Sequence, residues 1–179
     1  MYPRETLQAF DRLLAQRGLR LDAIVVGGAA LNLLGVISRE TKDCDILHPS
    51  LGDAMQKAAR EFAMGIRASG GVLVDEWLNN GPATLVVDLP PGWQGRVQMV
   101  FRGAAIELHT LGRSDLLKAK VFALCDRGFD LPDCVAMNPT ADELADLLPW
   151  LEVRDLHPGW PDHVRATVAD LSRRLGHGL

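Results

Sequence analysis

The residues best suited to chemistry are Asp43 and Asp45, in the run Lys42-Asp43-Cys44-Asp45-Ile46-Leu47. On a strand, residues i and i+2 share a face, so both carboxylates point one way while Cys44 and Ile46 pack the other. Two adjacent anions repel unless they share a cation. Mg2+ suits them, because it prefers oxygen ligands and keeps substrate phosphates in its shell. A solvated strand end would carry the same two residues. Upstream, the apolar run Ala23–Val26 ends in Gly27-Gly28, and a short apolar helix over 29–34 follows. Glycine at a strand-to-helix turn lets a ligand approach the backbone, and the free N–H groups there favour an anion. A plain tight turn has the same sequence. Between these features stand Arg39 and Thr41. A guanidinium beside a hydroxyl suits a triphosphate, and a salt bridge from Arg39 to Glu40 or to one of the acids is the alternative.

A third carboxylate is offered by Glu107 in Ala-Ile-Glu-Leu-His-Thr-Leu, with Ile106 and Leu108 facing the core and Glu107 and His109 the other side. It could complete a metal site or act as a general base. Asp88, at the end of Thr-Leu-Val-Val-Asp, competes for the role, and Glu107 is favoured because its strand is better defined. An exposed strand face would also account for Glu107. His109 assists or is simply exposed, and the other histidines form no ligand spacing. Lys120 and Arg127 share a helix face, from which they reach phosphates or cap a neighbouring carboxylate such as Asp130, with plain solvated basic side chains as the favoured alternative. The four tryptophans are too scattered for a stacking platform. They read as packing, with Trp77 as a candidate for lining a cleft mouth.

The elements that must position these residues follow from periodicity. Leu7, Phe10, Leu13 and Leu14 mark an amphipathic helix over 4–17, closed by Gly18. The Ala- and Met-rich run 51–69 is a second long helix, ended by Gly70-Gly71. A strand is expected over Thr84–Val87. The apolar runs 97–101 and 104–109, separated by Arg102-Gly103, form a hairpin. Helices are expected over 114–126, from Thr140 with Glu143 three residues on as a capping box, and over 161–175. The fold class is α/β (α+β): a small mixed sheet with flanking helices and a helical C-terminal part. Without GxGxxG or sustained strand–helix alternation, it is not a doubly wound dinucleotide fold.

Composition narrows the setting. A net charge of −4 gives no broad basic footprint for nucleic acid. The 3 cysteines, Cys44, Cys125 and Cys134, have no zinc spacing, and their odd number favours reduced thiols. No signal core and no membrane-length apolar run is seen. The expectation is a soluble, cytoplasmic protein.

Taken together, the residues Val-Val-Gly-Gly-Ala-Ala-Leu through Arg39, Thr41, Asp43 and Asp45 resemble the signature of the nucleotidyltransferase superfamily, the polymerase-beta-like fold. More narrowly, they are similar to its bacterial abortive-infection and toxin–antitoxin-associated branch. Asp-Glu-Trp-Leu-Asn-Asn-Gly (75–81) resembles that branch's tryptophan-containing loop. The segment 114–133 resembles its helix with a lysine, followed by an arginine and spaced aspartates. The similarity runs from residue 23 to about 133. It implies a nucleotidyltransferase-like domain over 1–135, with residues 136–179 a helical extension packed on it. It also implies Mg2+-dependent transfer of a nucleoside monophosphate from an NTP to an acceptor hydroxyl on protein, tRNA or a small molecule. By this resemblance Gly27 and Gly28 bind the triphosphate, Asp43 and Asp45 ligate metal, and Glu107 takes the third-acid position, which is often aspartate. The alternative is a non-catalytic, antitoxin-like or partner-binding protein on the same fold.

Overall fold

The computed structural model describes residues 1–177. The chain divides into two compact units, the first Met1–Gly112 and the second beginning at Arg113. The first contains α1 (Pro3–Arg17), β1 (Leu21–Val26), α2 (Gly27–Leu33), β2 (Cys44–His48), α3 (Asp53–Ala68), β3 (Leu78–Asn79), β4 (Gln98–Arg102) and β5 (Ile106–Thr110). Two 3-10 turns, Ala83–Val87 and Trp93–Arg96, lie between β3 and β4.

The sheet order is β3-β2-β1-β5-β4. β1 runs antiparallel to β2 and parallel to β5, while β2–β3 is parallel and β4–β5 antiparallel. The sheet is therefore mixed and the fold mixed α/β, as the sequence predicts. One face carries Leu21, Ala23, Val25, Cys44, Ile46, Ile106 and Leu108, all buried against Leu7, Phe10 and Leu14 of α1 and the alanines of α3. Those alanines matter. Ala58, Ala59 and Ala63 leave room for Trp77, which is fully buried and donates from Nε1 to Ala59 O at 3.0 Å. Its ring meets Phe10 edge-on at 5.1 Å and Phe62 at 5.6 Å. Such aromatic pairs add about 0.5–1.5 kcal/mol beyond their area. Trp77 therefore packs in the core and does not line a cleft mouth.

The hairpin β4–β5 forms as expected and is held from α1. Asp11 accepts from the backbone N–H groups of Ala104, Ala105 and Ile106 at 3.0, 2.8 and 2.8 Å. A Cβ on Gly103 would lie 2.3 Å from Asp11 Oδ1, so only glycine fits there.

Residues 84–87 are not a strand but part of a 3-10 turn. The neighbouring edge strand β3 is only 2 residues long. Asn79 Oδ1 accepts from Gly81 N–H at 2.6 Å and Ala83 N–H donates to Asn80 O at 3.1 Å, so the chain curls before it can extend the ladder.

The second unit is helical: α4 (Arg113–Arg127), α5 (Leu131–Met137), α6 (Ala141–Leu151) and α7 (Trp160–Arg174). The capping box at Thr140 is present, with Glu143 N–H donating to Thr140 Oγ1 at 3.1 Å and Thr140 N–H donating to Glu143 Oε2 at 3.0 Å. Phe122 meets Trp150 and Trp160 edge-on at 6.2 and 6.1 Å. The helix α5 has no counterpart in the sequence expectations. Among the described residues, no helix is long and apolar enough to cross a membrane.

Candidate active site

The site is built where β1 ends. Val26 pairs with Asp45 across the antiparallel ladder, so the first acid of β2 stands beside the turn into α2. Gly27 sits at φ +72°, and a Cβ there would lie 2.6 Å from Asp45 Oδ2. Neither the backbone conformation nor the space admits a side chain. On the other side Asp45 pairs with Asn79 of β3, and the Gly81 Cβ position lies 3.9 Å from Asp45 Oδ1. The carboxylate is therefore half-buried between two glycine turns. Asp43, also half-buried, enters immediately before β2, while Cys44 and Ile46 are fully buried on the opposite face.

Gly28 brings in the next two residues. Its Cβ position is 3.1 Å from Thr41 Cγ2 and 3.9 Å from an Arg39 guanidinium nitrogen. The loop between α2 and β2 is tied back to both sides: Asn32 Nδ2 donates to Arg39 O at 3.0 Å, and Thr41 N–H donates to Met1 O at 2.9 Å. Thr41 is buried, and its hydroxyl has no hydrogen-bond partner in the protein. Buried hydroxyls are normally satisfied, but it is the Thr41 methyl, not this hydroxyl, that faces Gly28. Gly27, Gly28, Arg39, Thr41 and Asp45 thus meet in one place.

Glu107 does not join them. In the parallel β1–β5 ladder Glu107 is level with Asp22, whereas Asp45 is level with Val26. Asp22 to Val26 spans about 13 Å at roughly 3.3 Å per residue. The Glu107 carboxylate is instead held by Arg102, which donates twice at 3.1 Å. Those Arg102 bonds hold its pKa below the usual value against a smaller opposing desolvation. His109 Nε2 lies 3.7 Å from Glu107 Oε1 on the same face. Asp88 ends the first 3-10 turn and is exposed. Among the described residues, no three His, Cys, Asp or Glu side chains gather as a metal site.

Lys120 lies in the second unit. It is buried, and its Nζ bridges Asp130 Oδ1 at 2.9 Å and Asp133 Oδ2 at 2.7 Å. Arg127 donates to the other Asp130 oxygen at 3.0 Å. Burial alone would lower the Lys120 pKa, but the two carboxylates outweigh it and raise it. Lys120 and Arg127 therefore cap Asp130, and Lys120 is not the solvated side chain that the sequence favours.

The sequence reading missed Asn79, Asn80 and Gly81. Asn80 Nδ2 donates to Ile46 O at 2.9 Å and Pro49 O at 3.1 Å, and its Oδ1 accepts from Leu51 N–H at 2.7 Å, which fixes the end of β2. The Asn-Asn-Gly run was the available signal, since such residues build turns. No curated protein and no solved structure matches the chain. A family model described as "Nucleotidyltransferase of unknown function (DUF6036)" matches residues 5–136, and the chain belongs to that family.

Proposed function

We propose that the chain binds a nucleoside triphosphate over the Gly27–Gly28 turn and transfers its nucleoside monophosphate to an acceptor hydroxyl. One observation carries this reading: the Asp45 carboxylate lies against Gly27 with no room for a Cβ between them. A phosphate seated on the turn is thereby brought to a carboxylate. The donor set suits Mg2+, which commonly takes one or two carboxylates and completes its shell with substrate phosphates and water. Asp43 and Asp45 would hold it, and when bound it would neutralise charge on the phosphates. The Gly27 and Gly28 backbone admits the phosphates, the Arg39 guanidinium adds positive charge beside them, and the packed Ile46–Cys44 face fixes the strand that carries the acids. The acceptor hydroxyl oxygen attacks the α-phosphorus and gives up its proton to water, the bond from phosphorus to the bridging oxygen breaks, and pyrophosphate leaves. With its 3 cysteines free and buried, the protein fits a reducing cytoplasm.

The test is incubation with Mg2+, each α-labelled NTP and cell extract. Label should pass to an acceptor with wild type and not with Asp45→Asn. A second reading, a nucleotide-binding but non-transferring partner or antitoxin-like component, is favoured by one observation: Glu107 is level with Asp22, away from Asp45. It predicts nucleotide binding with no labelled acceptor.

A further inference from the structure

Helix α3 and the segment leading into β3 border a cavity of about 180 Å3. Its apolar lining is Leu51 and Leu78, both nearly buried. Leu51 is fixed from two sides: its N–H donates to Asn80 Oδ1 at 2.7 Å, and its carbonyl accepts from Gln56 Nε2 at 2.7 Å. Asn79 is held as well, its Oδ1 accepting from Gly81 N–H at 2.6 Å and its Nδ2 donating to Glu76 O at 3.3 Å. The Asp75 carboxylate is taken by Arg67 at 2.6 Å. Two charged side chains of the lining stand apart from this network. Among the described residues, the Arg60 guanidinium and the Glu76 carboxylate make no hydrogen bond or ion pair, with each other or with any neighbour. A pre-formed lining thus presents one cation and one anion, each without a counter-charge, beside two leucines.

We propose that this cavity binds a free α-amino acid with an aliphatic side chain, its carboxylate on Arg60 and its ammonium on Glu76. Pockets for drug-sized ligands run to roughly 300–1,000 Å3, so this one suits a smaller molecule. A purely anionic ligand would leave Glu76 without a partner, and a purely cationic one would leave Arg60 so. A small molecule that meets both must carry its own two charges close together, and in an α-amino acid one carbon separates them. The guanidinium fork matches a carboxylate through two parallel hydrogen bonds, and the Glu76 oxygens accept from the ammonium. The aliphatic side chain then leaves water against Leu51 and Leu78. Because Gln56, Asn79 and Asn80 are already bonded, they lose little freedom when the ligand arrives. This binding is independent of the nucleotide reading above.

The experiment is a titration of the 15N-labelled full chain, followed by amide chemical shifts, with leucine, isoleucine, valine and methionine. Three further arms are isovalerate, which lacks the ammonium, isoamylamine, which lacks the carboxylate, and N-acetyl-leucine, whose nitrogen is uncharged. The expected result is saturable shifts at Leu51, Leu78 and Asn79 with at least one amino acid, at a Kd below about 1 mM. Each of the three further compounds should bind about tenfold more weakly or worse. Arg60→Gln and Glu76→Gln, both at exposed positions, should each weaken the amino acid by a similar factor and leave the ligand-free Tm near wild type. Equal binding of isovalerate, isoamylamine or N-acetyl-leucine overturns the inference. So does undiminished amino-acid binding in either variant. Absence of saturable shifts with all four amino acids overturns it too, and leaves the nucleotide reading untouched.

Discussion

Gly27 and Asp45 are a matched pair: the absent side chain of one makes the space that the carboxylate of the other fills. The Cβ position of Gly27 is 2.6 Å from Asp45 Oδ2, and the residue is at φ +72°. Gly27→Ala therefore meets two penalties, a left-handed backbone that costs an L-residue about 1–2 kcal/mol and a clash with a half-buried carboxylate. We expect it to lower stability by at least that amount in urea unfolding and to remove nucleotide-dependent stabilisation. Gly28→Ala should be milder. Its Cβ position is 3.1 Å from the Thr41 methyl, and its φ lies outside the left-handed region. Equal losses from the two substitutions would show that the space around Asp45 is not what selects glycine at position 27.

Asp11 should make the fold sensitive to acid. Burial alone would raise its pKa, but the three backbone N–H groups of the β4–β5 hairpin outweigh burial and hold it below the ordinary value. A carboxylate with a folded pKa below its unfolded one contributes stability that is present above the unfolded value and lost as pH falls through the folded value. The difference in unfolding free energy between wild type and Asp11→Asn should be full at neutral pH and shrink below about pH 4. At neutral pH Asp11→Ala should cost about 3 kcal/mol, because it strands buried N–H donors. A wild-type-minus-Asn difference that stays constant from pH 7 to pH 3 would remove the carboxylate from this account.

How legible the site was depends on how local each signal is. The turn at Gly27-Gly28 and the acids at 43 and 45 lie within one strand–helix–strand segment, so spacing alone brings them together. Glu107 stands apart from Asp45 for a non-local reason: alternation assigns its face, but its level along the sheet depends on the β1–β5 register, which pairs it with Asp22. Residues 84–87 are apolar and β-branched enough to read as a strand, yet the edge strand beside them stops at Asn79. The burial of Trp77 depends on the small residues of α3, a tertiary fit that no window around residue 77 contains. The Lys120–Asp130 contact is legible because helix periodicity places Lys120 and Arg127 on one face.

Lys120 should be a strong stability determinant of the second unit. Its ammonium is buried between Asp130 and Asp133, so Lys120→Met removes the cation buried between these two carboxylates, although Arg127 still holds Asp130. Breaking such a cluster from one side costs about 3–5 kcal/mol. Its pKa is raised in the folded state. The stabilisation is therefore full below the unfolded value and fades as pH rises through the folded one. Chemical unfolding of wild type and Lys120→Met at neutral pH and above about pH 10.5 should show the gap narrowing at the higher pH. Lys120→Arg should restore part of it.

Thr110 offers a substitution expected to help. It is fully buried on β5, and its hydroxyl has no partner. An unsatisfied buried hydroxyl costs about 1–3 kcal/mol. Valine keeps the branched shape that suits a strand. Thr110→Val should therefore leave the fold intact and raise the urea midpoint, by up to about 1 kcal/mol in unfolding free energy. A clear loss of stability would mean that the hydroxyl is satisfied in solution.

The sharpest comparison sets Glu107 against Asp45. Both are half-buried strand carboxylates, yet the register separates them by about 13 Å along the sheet. Glu107 is bound to Arg102 at 3.1 Å through both oxygens. If nucleotide and cation meet at the Gly27 turn, Glu107→Gln should leave the nucleotide-dependent Tm rise unchanged, whereas Asp45→Asn should abolish it. Glu107→Gln should instead loosen the β4–β5 pair, seen as faster amide exchange at Arg102 and Glu107 themselves. Equal loss of the nucleotide-dependent rise in both variants would bring Glu107 back to the metal and contradict the strand register. Loss in Asp45→Asn alone would confine the cation to the acids beside the glycine turn.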